Sequence, residues 1–543
     1  MKPASSVLIK QLHHESHGWN RRASVWPSMS SVQSVVNAYF LSNMASLRTF
    51  RLLWVIMLFP SWVISVQAQI QQAWVAKYNN GITNGNHQAL KITLDSTGNI
   101  YVLGVSANAN TNTGYVVLKY APNGNQMWVA RYDSTNFPTA TPTGFALDNS
   151  NNTVVTGSAM TVKFAADGDQ LWAVPYNGQA IVIDPSGNPY ITGVSNTFTT
   201  VKLTSTGSNV WNGTWTYQGL ANVSQVIAID SFTNIYVAGQ EQAQNPLHYY
   251  VADIGTVKYN QNGHQLWETN YSIGPDNGVQ VVGLSIDKAE NVFLEANFFP
   301  GFSTGSCYLT LKYDVNGMGG AFAYNPTTDA ASLARSLNLD NLGNIILTGG
   351  NAYYYPNFCY GTYKLNTNGQ YISTNLYPNV VTGNSQATST ALDQVGSIYV
   401  SGYSPSLGTN GDSDIVTIKY DSKGNQVWLQ RYNGPGHGND AGNAITVDNS
   451  GNVYVAGYET EANGFTSMIL IKYSPVTLES QSNGNITLRT YGSSGETFDI
   501  QASTNLQNWQ DLGPITADTN GIVLFEDTNA LQFPARFYSA IPK

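Results

Sequence analysis

The chain has 543 residues, of which only 10% are charged, and its formal net charge is −9. This length is too great for one ordinary compact core, so we expect several domains or an array of repeats. An acidic, weakly charged surface repels phosphate groups, which excludes nucleic acid as an expected partner. The 50 glycines and 33 tyrosines, with no helical periodicity after residue 70, favour many short strands joined by turns.

Residues 44–68 have the features of an export signal. Residues 44–68 begin with two arginines, continue in the apolar run Leu52–Val66 and end on small residues. A membrane anchor is the alternative, but Pro60 interrupts the run, which is shorter than the ~20 residues that span a bilayer. We therefore predict a signal peptide, no membrane span after cleavage, and a mature chain that starts near Gln69 outside the cytoplasm. Residues 1–43 are predicted to be a disordered extension, or to precede a true start at position 44.

One pattern of four short runs recurs eight times between residues 69 and 475. The first run ends on an aspartate, and the second ends nine residues later on a glycine, except at Ala296. The third run ends on a lysine, and the fourth runs from tryptophan to tyrosine in most copies, as in Trp428–Tyr432. The repeated aspartates are Asp95, Asp148, Asp184, Asp230, Asp287, Asp340, Asp393 and Asp448. The repeated lysines are Lys119, Lys163, Lys202, Lys258, Lys312, Lys364, Lys419 and Lys472. We interpret both sets as structural residues of the repeat.

Four strands in a repeat of about 40–55 residues are typical of a β-propeller. We predict an all-β fold with an eight-bladed β-propeller over residues 69–475. If the tryptophan run opens each blade, every blade is continuous in sequence. If it ends each blade, Trp74–Tyr78 must complete the last blade beside Met468–Tyr473. We favour the second arrangement, because main-chain hydrogen bonds then join the two ends of the repeat region and remove an open sheet edge.

Two stretches carry a family resemblance. At V-D-N-S-G-N-V-Y-V-A-G and I-K-Y-D-S-K-G-N-Q-V-W, the chain resembles the bacterial beta-propeller repeat family, the SBBP repeat. The resemblance extends roughly from Trp74 to Tyr473 and implies the fold, but no ligand. The family name implies seven blades, whereas eight copies are present here, so a seven-bladed ring is the alternative.

The repeat pattern stops after Pro475. Residues 476–543 contain five strand-like runs, which predict a small β-sandwich module. The runs lie around Ile486–Tyr491, Phe498–Ala502, Trp509–Ile515, Ile522–Glu526 and Arg536–Ala540. The stretch F-D-I-Q-A-S-T-N-L-Q-N-W-Q-D-L-G is similar to a module found at the C-termini of secreted bacterial proteins.

Strand direction sorts the connections onto two faces. The short aspartate turns fall on one face, and the connections after the glycine and after the tryptophan–tyrosine run fall on the other, which we call the long-loop face. Three consecutive repeats carry aromatic insertions there, and exposed rings suit stacking on sugars or contact with a protein. The alternative is that the insertions bury their own rings. The candidate ligand-binding residues are Tyr249, Tyr250, Phe298, Phe299, Tyr353, Tyr354 and Tyr355.

The two cysteines lie on the same face. Cys307 and Cys359 each precede a repeated lysine by five residues in neighbouring repeats, so they are a candidate disulfide in an exported protein. Equivalent points on adjacent blades can be farther apart than the ~7 Å between Cα atoms that a disulfide tolerates. The alternative is two small buried apolar residues.

Two other features have a ligand interpretation and a structural one. Asn410, Asp412 and Asp414 alternate as oxygen ligands do in calcium loops, but the bidentate glutamate is missing. We expect a solvated turn there, and no cofactor.

The repeated lysines are expected to pack their stems between blades, with the ammonium group on an aspartate or a backbone carbonyl. The alternative is a basic ring that lines the channel and binds an anion.

The sequence contains no recognisable catalytic motif: HExxH, GxSxG and a spaced Cys–His pair are all missing. We predict a secreted or cell-surface, monomeric, non-catalytic scaffold that binds carbohydrate or protein through the long-loop face. The first alternative is an extracellular hydrolase, lyase or quinoprotein with acids gathered at the channel mouth. The second is a purely structural component of the cell envelope.

Overall fold

A computed structural model describes most of the chain after residue 69. The residues outside the description are 1–69, 83, 111, 135, 217–220, 245–249, 275–276, 301–305, 325–331, 355–356, 378–383, 407–410, 476, 482–484, 492–494, 505–507, 520–521, 534–535 and 543. The predicted extension 1–43 and signal peptide 44–68 therefore lie outside the described residues. Within these limits, no helix is long and apolar enough to cross a membrane.

The described part of residues 70–475 contains eight four-stranded antiparallel sheets, numbered here in chain order. The first strand of the region is β1 (Ile70–Tyr78). Sheets 1 and 2 consist of β2 (His87–Leu94), β3 (Ile100–Ala107), β4 (Thr113–Tyr120), β5 (Gln126–Tyr132), then β6 (Pro142–Leu147), β7 (Thr153–Gly157), β8 (Thr161–Phe164) and β9 (Gln170–Val174). Sheets 3 and 4 consist of β10 (Ala180–Ile183), β11 (Pro189–Thr192), β12 (Thr199–Leu203), β13 (Asn209–Thr214), then β14 (Ala221–Ile229), β15 (Ile235–Gln244), β16 (Tyr250–Tyr259) and β17 (Gln265–Tyr271).

The second half of the region repeats this arrangement. Sheets 5 and 6 consist of β18 (Gly278–Ile286), β19 (Val292–Phe299), β20 (Cys307–Tyr313), β21 (Gly319–Tyr324), then β22 (Ser332–Leu339), β23 (Ile345–Tyr354), β24 (Asn357–Leu365) and β25 (Tyr371–Tyr377). Sheets 7 and 8 consist of β26 (Gln386–Leu392), β27 (Ile398–Pro405), β28 (Ser413–Tyr420), β29 (Gln426–Tyr432), then β30 (Ala441–Val447), β31 (Val453–Thr460) and β32 (Thr466–Pro475), with β1 as the fourth strand of sheet 8. A single-turn 3₁₀ helix, Val194–Asn196, lies in sheet 3 between β11 and β12.

The sheets form a closed ring. The first strand of each sheet contacts the preceding sheet, and β2 of sheet 1 contacts β30 of sheet 8. Strand β1 pairs along β32, with Trp74 opposite Lys472 and Tyr78 opposite Met468. The favoured closure is therefore the one observed, and the number of four-stranded sheets in the described residues equals the number of sequence repeats. This is a β-propeller architecture, in which radial repetition protects the sheet edges.

The repeated aspartate organises the turn between the first two strands. In sheet 8, Asp448 Oδ1 accepts the backbone N–H groups of Ser450 and Asn452, each at 2.9 Å. Its Oδ2 accepts the Asn452 amide at 2.7 Å and the Tyr454 hydroxyl at 3.1 Å. Gly451 has φ of 81°, a left-handed conformation that glycine adopts without strain. These bonds explain why the D-x-x-G-N sequence recurs at the same place in four of the eight sheets.

Most of the core lies between neighbouring sheets. One cluster joins Tyr399 and Ile415 of sheet 7 to Val455, Ile469 and Ile471 of sheet 8. Because each sheet is covered on both faces, consecutive residues of a strand are buried, as along the whole of β8. The non-alternating apolar runs of the sequence follow from this double coverage.

The C-terminal region forms two three-stranded sheets with a shared core. One sheet contains β33 (Thr477–Ser480), β34 (Ile486–Tyr491) and β37 (Ile522–Asp527). The other contains β35 (Thr497–Ser503), β36 (Trp509–Thr516) and β38 (Phe537–Pro542), and a 3₁₀ turn spans Ala530–Gln532. Leu488 and Val523 of the first sheet pack with Phe498 and Ile500 of the second. Thr490 Oγ1 donates to Gln71 Oε1 at 2.9 Å, which connects this region to β1.

Candidate functional site

Seven of the eight repeated lysines link their own sheet to the next, whereas Lys419 pairs with Asp393 of its own sheet. Lys163 Nζ lies 2.8 Å from Asp148 Oδ2 in its own sheet and donates to the Ser205 carbonyl of sheet 3 at 3.2 Å. The indole N–H of Trp172 donates to the same carbonyl at 3.1 Å. Lysine-to-carbonyl bonds to a neighbouring sheet also occur at Lys119, Lys202, Lys312, Lys364 and Lys472. These lysines lie on the third strands, between sheets, and so the structural interpretation accounts for them better than a basic ring in the channel does.

A glycine of the neighbouring turn completes this contact. Gly207 has φ of 89°, and a Cβ atom there would lie 3.0 Å from the ring of Trp172. The indole ring therefore fits only against a residue without a side chain. The same network affects the aspartate: burial raises the pKa of Asp148, but hydrogen bonds from Lys163 and Asn152 outweigh burial and lower it below the usual value.

Two hairpins on the long-loop face have strands that continue five residues past the repeat glycine. Strand β15 continues past Gly239 to Gln244, which pairs with Tyr250 at the start of β16. Strand β23 continues past Gly349 to Tyr354, which pairs with Asn357. We call residues 239–255 and 349–361 the two arms. In sheet 2, by contrast, β7 ends at Gly157 and β8 starts at Thr161.

The structure places the predicted aromatic residues on these arms and between them. Tyr250, Tyr353 and Tyr354 lie in arm strands, whereas Tyr249 and Tyr355 lie outside the described residues. The segments expected to be loops are thus in part continuous strands. In sheet 5, between the arms, Phe299 is 37% exposed. Its neighbour Phe298 instead packs on the core cluster that contains Val279 and Ala296. Self-burial, the alternative for the insertions, therefore applies to Phe298 and not to Phe299.

The candidate disulfide is not formed, and this prediction is corrected. Cys307 and Cys359 are both buried, and no disulfide joins them. Cys359 Sγ lies 3.3 Å from the Asn351 carbonyl and Cys307 Sγ lies 3.9 Å from the Phe298 carbonyl, so each sulfur is directed at a carbonyl of its own sheet. Burial raises the pKa of Cys359 to about 11. The two residues act as small buried side chains.

We expect both thiols to be unreactive in the native protein. A buried thiol with a raised pKa supplies little thiolate, which is the reactive form. Titration with an aromatic disulfide reagent at pH 8 should find no reactive thiol in the folded chain and two in denaturant without reductant. Two thiols that become reactive in denaturant only after reduction would instead show that Cys307 and Cys359 are joined.

A buried charged cluster lies on the long-loop side of sheets 7 and 8, and sequence reasoning missed it. Glu459, at the end of β31, forms an ion pair with Lys77 of β1 and accepts the Tyr432 hydroxyl of sheet 7 at 2.5 Å. Asp440, just before β30, accepts the backbone N–H groups of Gly434 at 2.5 Å and Thr460 at 2.9 Å. A Cβ atom on Gly434 would lie 3.0 Å from Glu459 Oε2 and 3.1 Å from Asp440 Oδ2, so the two carboxylates are close neighbours.

Burial dominates the electrostatics of this cluster. It raises the pKa of Asp440 to about 6, and the neighbouring charges of Glu459 and Asp414 act in the same direction. Asp414, the last residue of the calcium-like run, pairs with Arg431 at 2.8 Å and accepts the Ser406 hydroxyl. Asn410 lies outside the described residues. The described residues contain no group of three side chains placed to hold a metal ion.

Glu295 in β19 is a second acidic residue that the sequence did not single out. It is fully buried, and its Oε2 accepts the Thr310 hydroxyl at 2.7 Å. No described group pairs with Oε1. Burial raises the pKa of Glu295 to about 8, although the bond from Thr310 opposes the shift. The equivalent positions of sheets 2, 3 and 6 hold Thr156, Thr192 and Thr348, which a comparison of the repeats could have revealed.

Comparison with known proteins supports the fold. Residues 427–462 match the model of the SBBP family, described as "Beta-propeller repeat". No curated protein matches this chain in sequence. The virginiamycin B lyase of Staphylococcus aureus, solved as a catalytically inactive variant with quinupristin, shares 12% identity, with 74% of this chain and 99% of that chain covered and a TM-score of 0.37.

Two further solved structures are similar at the same low level. A puromycin hydrolase shares 10% identity, with 65% of this chain and 59% of that chain covered and a TM-score of 0.40. The extracellular domain of a one-component system of B. thetaiotaomicron shares 11% identity, with 81% and 75% covered and a TM-score of 0.21. These neighbours have mixed functions, so they carry no argument about activity. The chain therefore has a β-propeller fold and carries the SBBP beta-propeller repeat that its sequence resembles.

Proposed function

We propose that this protein is a secreted or cell-surface, non-catalytic scaffold that binds a carbohydrate or a protein through its long-loop face. The scaffold would be a monomeric eight-bladed propeller followed by a small β-sandwich module, exported by residues 44–68. The ring of eight sheets closed by β1 and the shared core of the two C-terminal sheets support this organisation. The proposal requires no cofactor.

The arms are the observation that carries the proposal. Main-chain pairing continues into both arms, as far as Gln244 with Tyr250 and Tyr354 with Asn357. Tyrosines are thus held on extended strands that project from sheets 4 and 6, with Phe299 exposed on sheet 5 between them. Aromatic residues on a rigid support bind with a small loss of conformational entropy, because few side-chain torsions have to be fixed.

An extracellular enzyme is the alternative, and it would draw on the close pair Asp440 and Glu459. Their partners account for these carboxylates in another way. Both oxygens of Asp440 accept backbone N–H groups, and Glu459 is held by Lys77 and Tyr432. Both residues are fully buried. This pattern supports a structural role, in which the cluster fixes the Gly434–Asp440 connection and strand β1.

Binding to arrays of glycans and of extracellular proteins tests the proposal. We expect the described chain from Gln69 onward to bind a defined subset of ligands. Changing Tyr353, Tyr354 and Tyr355 together to alanine should reduce that binding at least ~10-fold, since truncation of central aromatic contacts costs about 2 kcal/mol or more. Phe232→Ala is the matched control, because Phe232 is 68% exposed in the aspartate turn of sheet 4, on the opposite face. No binding at all, or equal losses for both variants, would contradict the proposal.

A further inference from the structure

A cavity of about 170 Å³ opens on the long-loop face where sheet 8 meets sheet 1. One wall is the connection from β1 to β2, with Asn79, Ile82 and Gly85. The other wall is the hairpin between β31 and β32, with Glu461, Asn463, Phe465 and Thr466. The cavity therefore exists only because β1 closes the ring, and it lies on sheets other than those that carry the arms.

Hydrogen bonds fix both walls of the cavity in place. Thr466 N donates to Asn86 Oδ1 at 3.2 Å, and its hydroxyl donates to the His87 carbonyl at 3.2 Å. The buried imidazole of His87 is 3.1 Å from the Ile82 carbonyl. In the hairpin, Glu461 N donates to the Phe465 carbonyl at 2.8 Å. The described residues of both walls are thus held by hydrogen bonds before a ligand enters, which lowers the cost of binding.

The side chains of the cavity combine one aromatic ring with several hydrogen-bonding groups. Phe465 is half-buried, so one part of its ring remains available for a ligand. The Glu461 carboxylate is 34% exposed and lies 3.8 Å from Lys77 Nζ, beyond hydrogen-bond distance. Asn79 and Asn463 add amide groups to the polar lining, and their Oδ1 atoms accept the backbone N–H groups of Gly81 and Phe465, each at 3.1 Å. An apolar face beside a carboxylate and amides matches a sugar ring, which presents C–H groups on one face and hydroxyls at its edge.

The size of the cavity sets an upper limit on the ligand. A water molecule occupies ~30 Å³ of liquid, so 170 Å³ corresponds to about six waters. Drug-sized ligands need ~300–1,000 Å³. The cavity therefore accepts one sugar ring and no more, with the rest of a glycan outside it.

We propose that this cavity binds a single neutral sugar residue at the end of a glycan, with Phe465 stacked on the ring and Glu461 accepting hydrogen bonds from its hydroxyls. This inference rests on the proposed function and names the class of ligand. The arms then provide a second contact area on the same face, for the rest of the glycan or for the molecule that carries it.

Saturation-transfer NMR with methyl glycosides of glucose, galactose, mannose and N-acetylglucosamine tests this inference on the chain from Gln69 onward. We expect one of these sugars to bind with Kd near ~1 mM, a reasonable value for so small a contact. Phe465→Ala should weaken binding ~10-fold or more. The isosteric Glu461→Gln, which preserves the shape of the site, should weaken it several-fold. Leu342→Ala is the control, since Leu342 is 80% exposed in the aspartate turn of sheet 6 on the opposite face.

The outcomes separate this inference from the proposed function. Loss of sugar binding in both cavity variants, with melting temperatures unchanged and with binding intact in the variant of Tyr353, Tyr354 and Tyr355, supports the cavity site. If the arm variant loses the sugar and the cavity variants retain it, the inference is wrong and the proposed function stands. If none of the four sugars binds, the inference is also wrong, whatever the arrays show for the arms.

Discussion

Replacing Glu295 by glutamine is expected to remove most of the pH dependence of stability between pH 6 and 8. Glu295 is fully buried, with Thr310 as its one described hydrogen-bond partner. Burial raises its pKa in the folded chain to about 8, from the ordinary glutamate value of 4.5. The folded chain then binds a proton that the unfolded chain releases, so stability falls as pH rises from about 4.5 to about 8. The slope for one such group approaches ~1.4 kcal/mol per pH unit.

The comparison of the parent with Glu295→Gln between pH 6 and 8 isolates this residue, because the other groups are the same in both chains. Burial lowers the pKa of His87 below its ordinary 6.5, so His87 makes stability rise with pH in the lower part of this window, opposite to Glu295. Burial also raises the pKa of Asp440, but only to about 6, and lowers that of Lys472 to about 8. Asp440 therefore acts mainly below the window and Lys472 mainly above it. The charge of Glu295 acts on Tyr308 and Tyr371, but burial raises the pKa of both tyrosines above its ordinary value, so they stay neutral in this window.

The measurement is denaturant unfolding at intervals of half a pH unit. The unmodified chain should lose about 2–3 kcal/mol between pH 6 and 8, and Glu295→Gln should lose much less. Glu295→Thr adds a second test, because Thr156 and Thr161 form the corresponding hydroxyl pair in sheet 2 at 2.9 Å. Glu526→Gln, at an exposed glutamate, is the control and should retain the slope of the parent. Equal slopes in the parent and in Glu295→Gln would show that Glu295 is ionised in the fold at neutral pH.

The fold was predictable because each repeat contains its own local signals. Asp448 and Gly451 specify one turn, and the same pair of signals recurs at fixed spacing in most copies. Counting strand types left two ways to close the ring, and closure by β1 was favoured because it removes an open sheet edge; the pairing of β1 with β32 confirms it. The sequence predicted that the lysine ammonium groups contact an aspartate or a backbone carbonyl. It did not predict that Lys163 and Trp172 donate to the same carbonyl. That contact joins two sheets, and its geometry depends on how they pack.

The site was less predictable, for two physical reasons. The sequence analysis treated the arms as loops. Strand pairing such as that between Gln244 and Tyr250 leaves no alternating apolar pattern in a short polar and aromatic stretch, so these strands could not be recognised. The charged cluster was missed because its members are far apart in sequence. Lys77 and Glu459 meet only when the ring closes. A comparison of the eight repeats could have found Glu459, since it stands two residues after Gly457, where Ser106 and Ser404 stand in sheets 1 and 7.

Removing strand β1 is expected to have the largest effect on the whole molecule. A chain that starts at Asn79 loses the Lys77–Glu459 ion pair and the three buried side chains Ile70, Ala73 and Trp74. Loss of the tryptophan alone should cost about 3–5 kcal/mol, and Glu459 would be left as an unpaired buried charge. The edge of β32 would also be open, with free backbone N–H and C=O groups that pair with other chains. We expect a melting temperature lower by more than ~10 °C and a shift to oligomers.

Calorimetry and size-exclusion chromatography with light scattering measure both effects, and a chain that starts at Gln69 is the control. A synthetic peptide of residues 69–80, added to the truncated chain, should restore the monomer and raise the melting temperature, because it can pair with β32 as an added strand. The same peptide with Trp74→Ala should restore much less, since the ring packs against Gly124 of sheet 1. A truncated chain that stays monomeric and melts like the control would show that β1 does not hold the ring closed, and the seam between sheets 8 and 1 would then have to be stable without it.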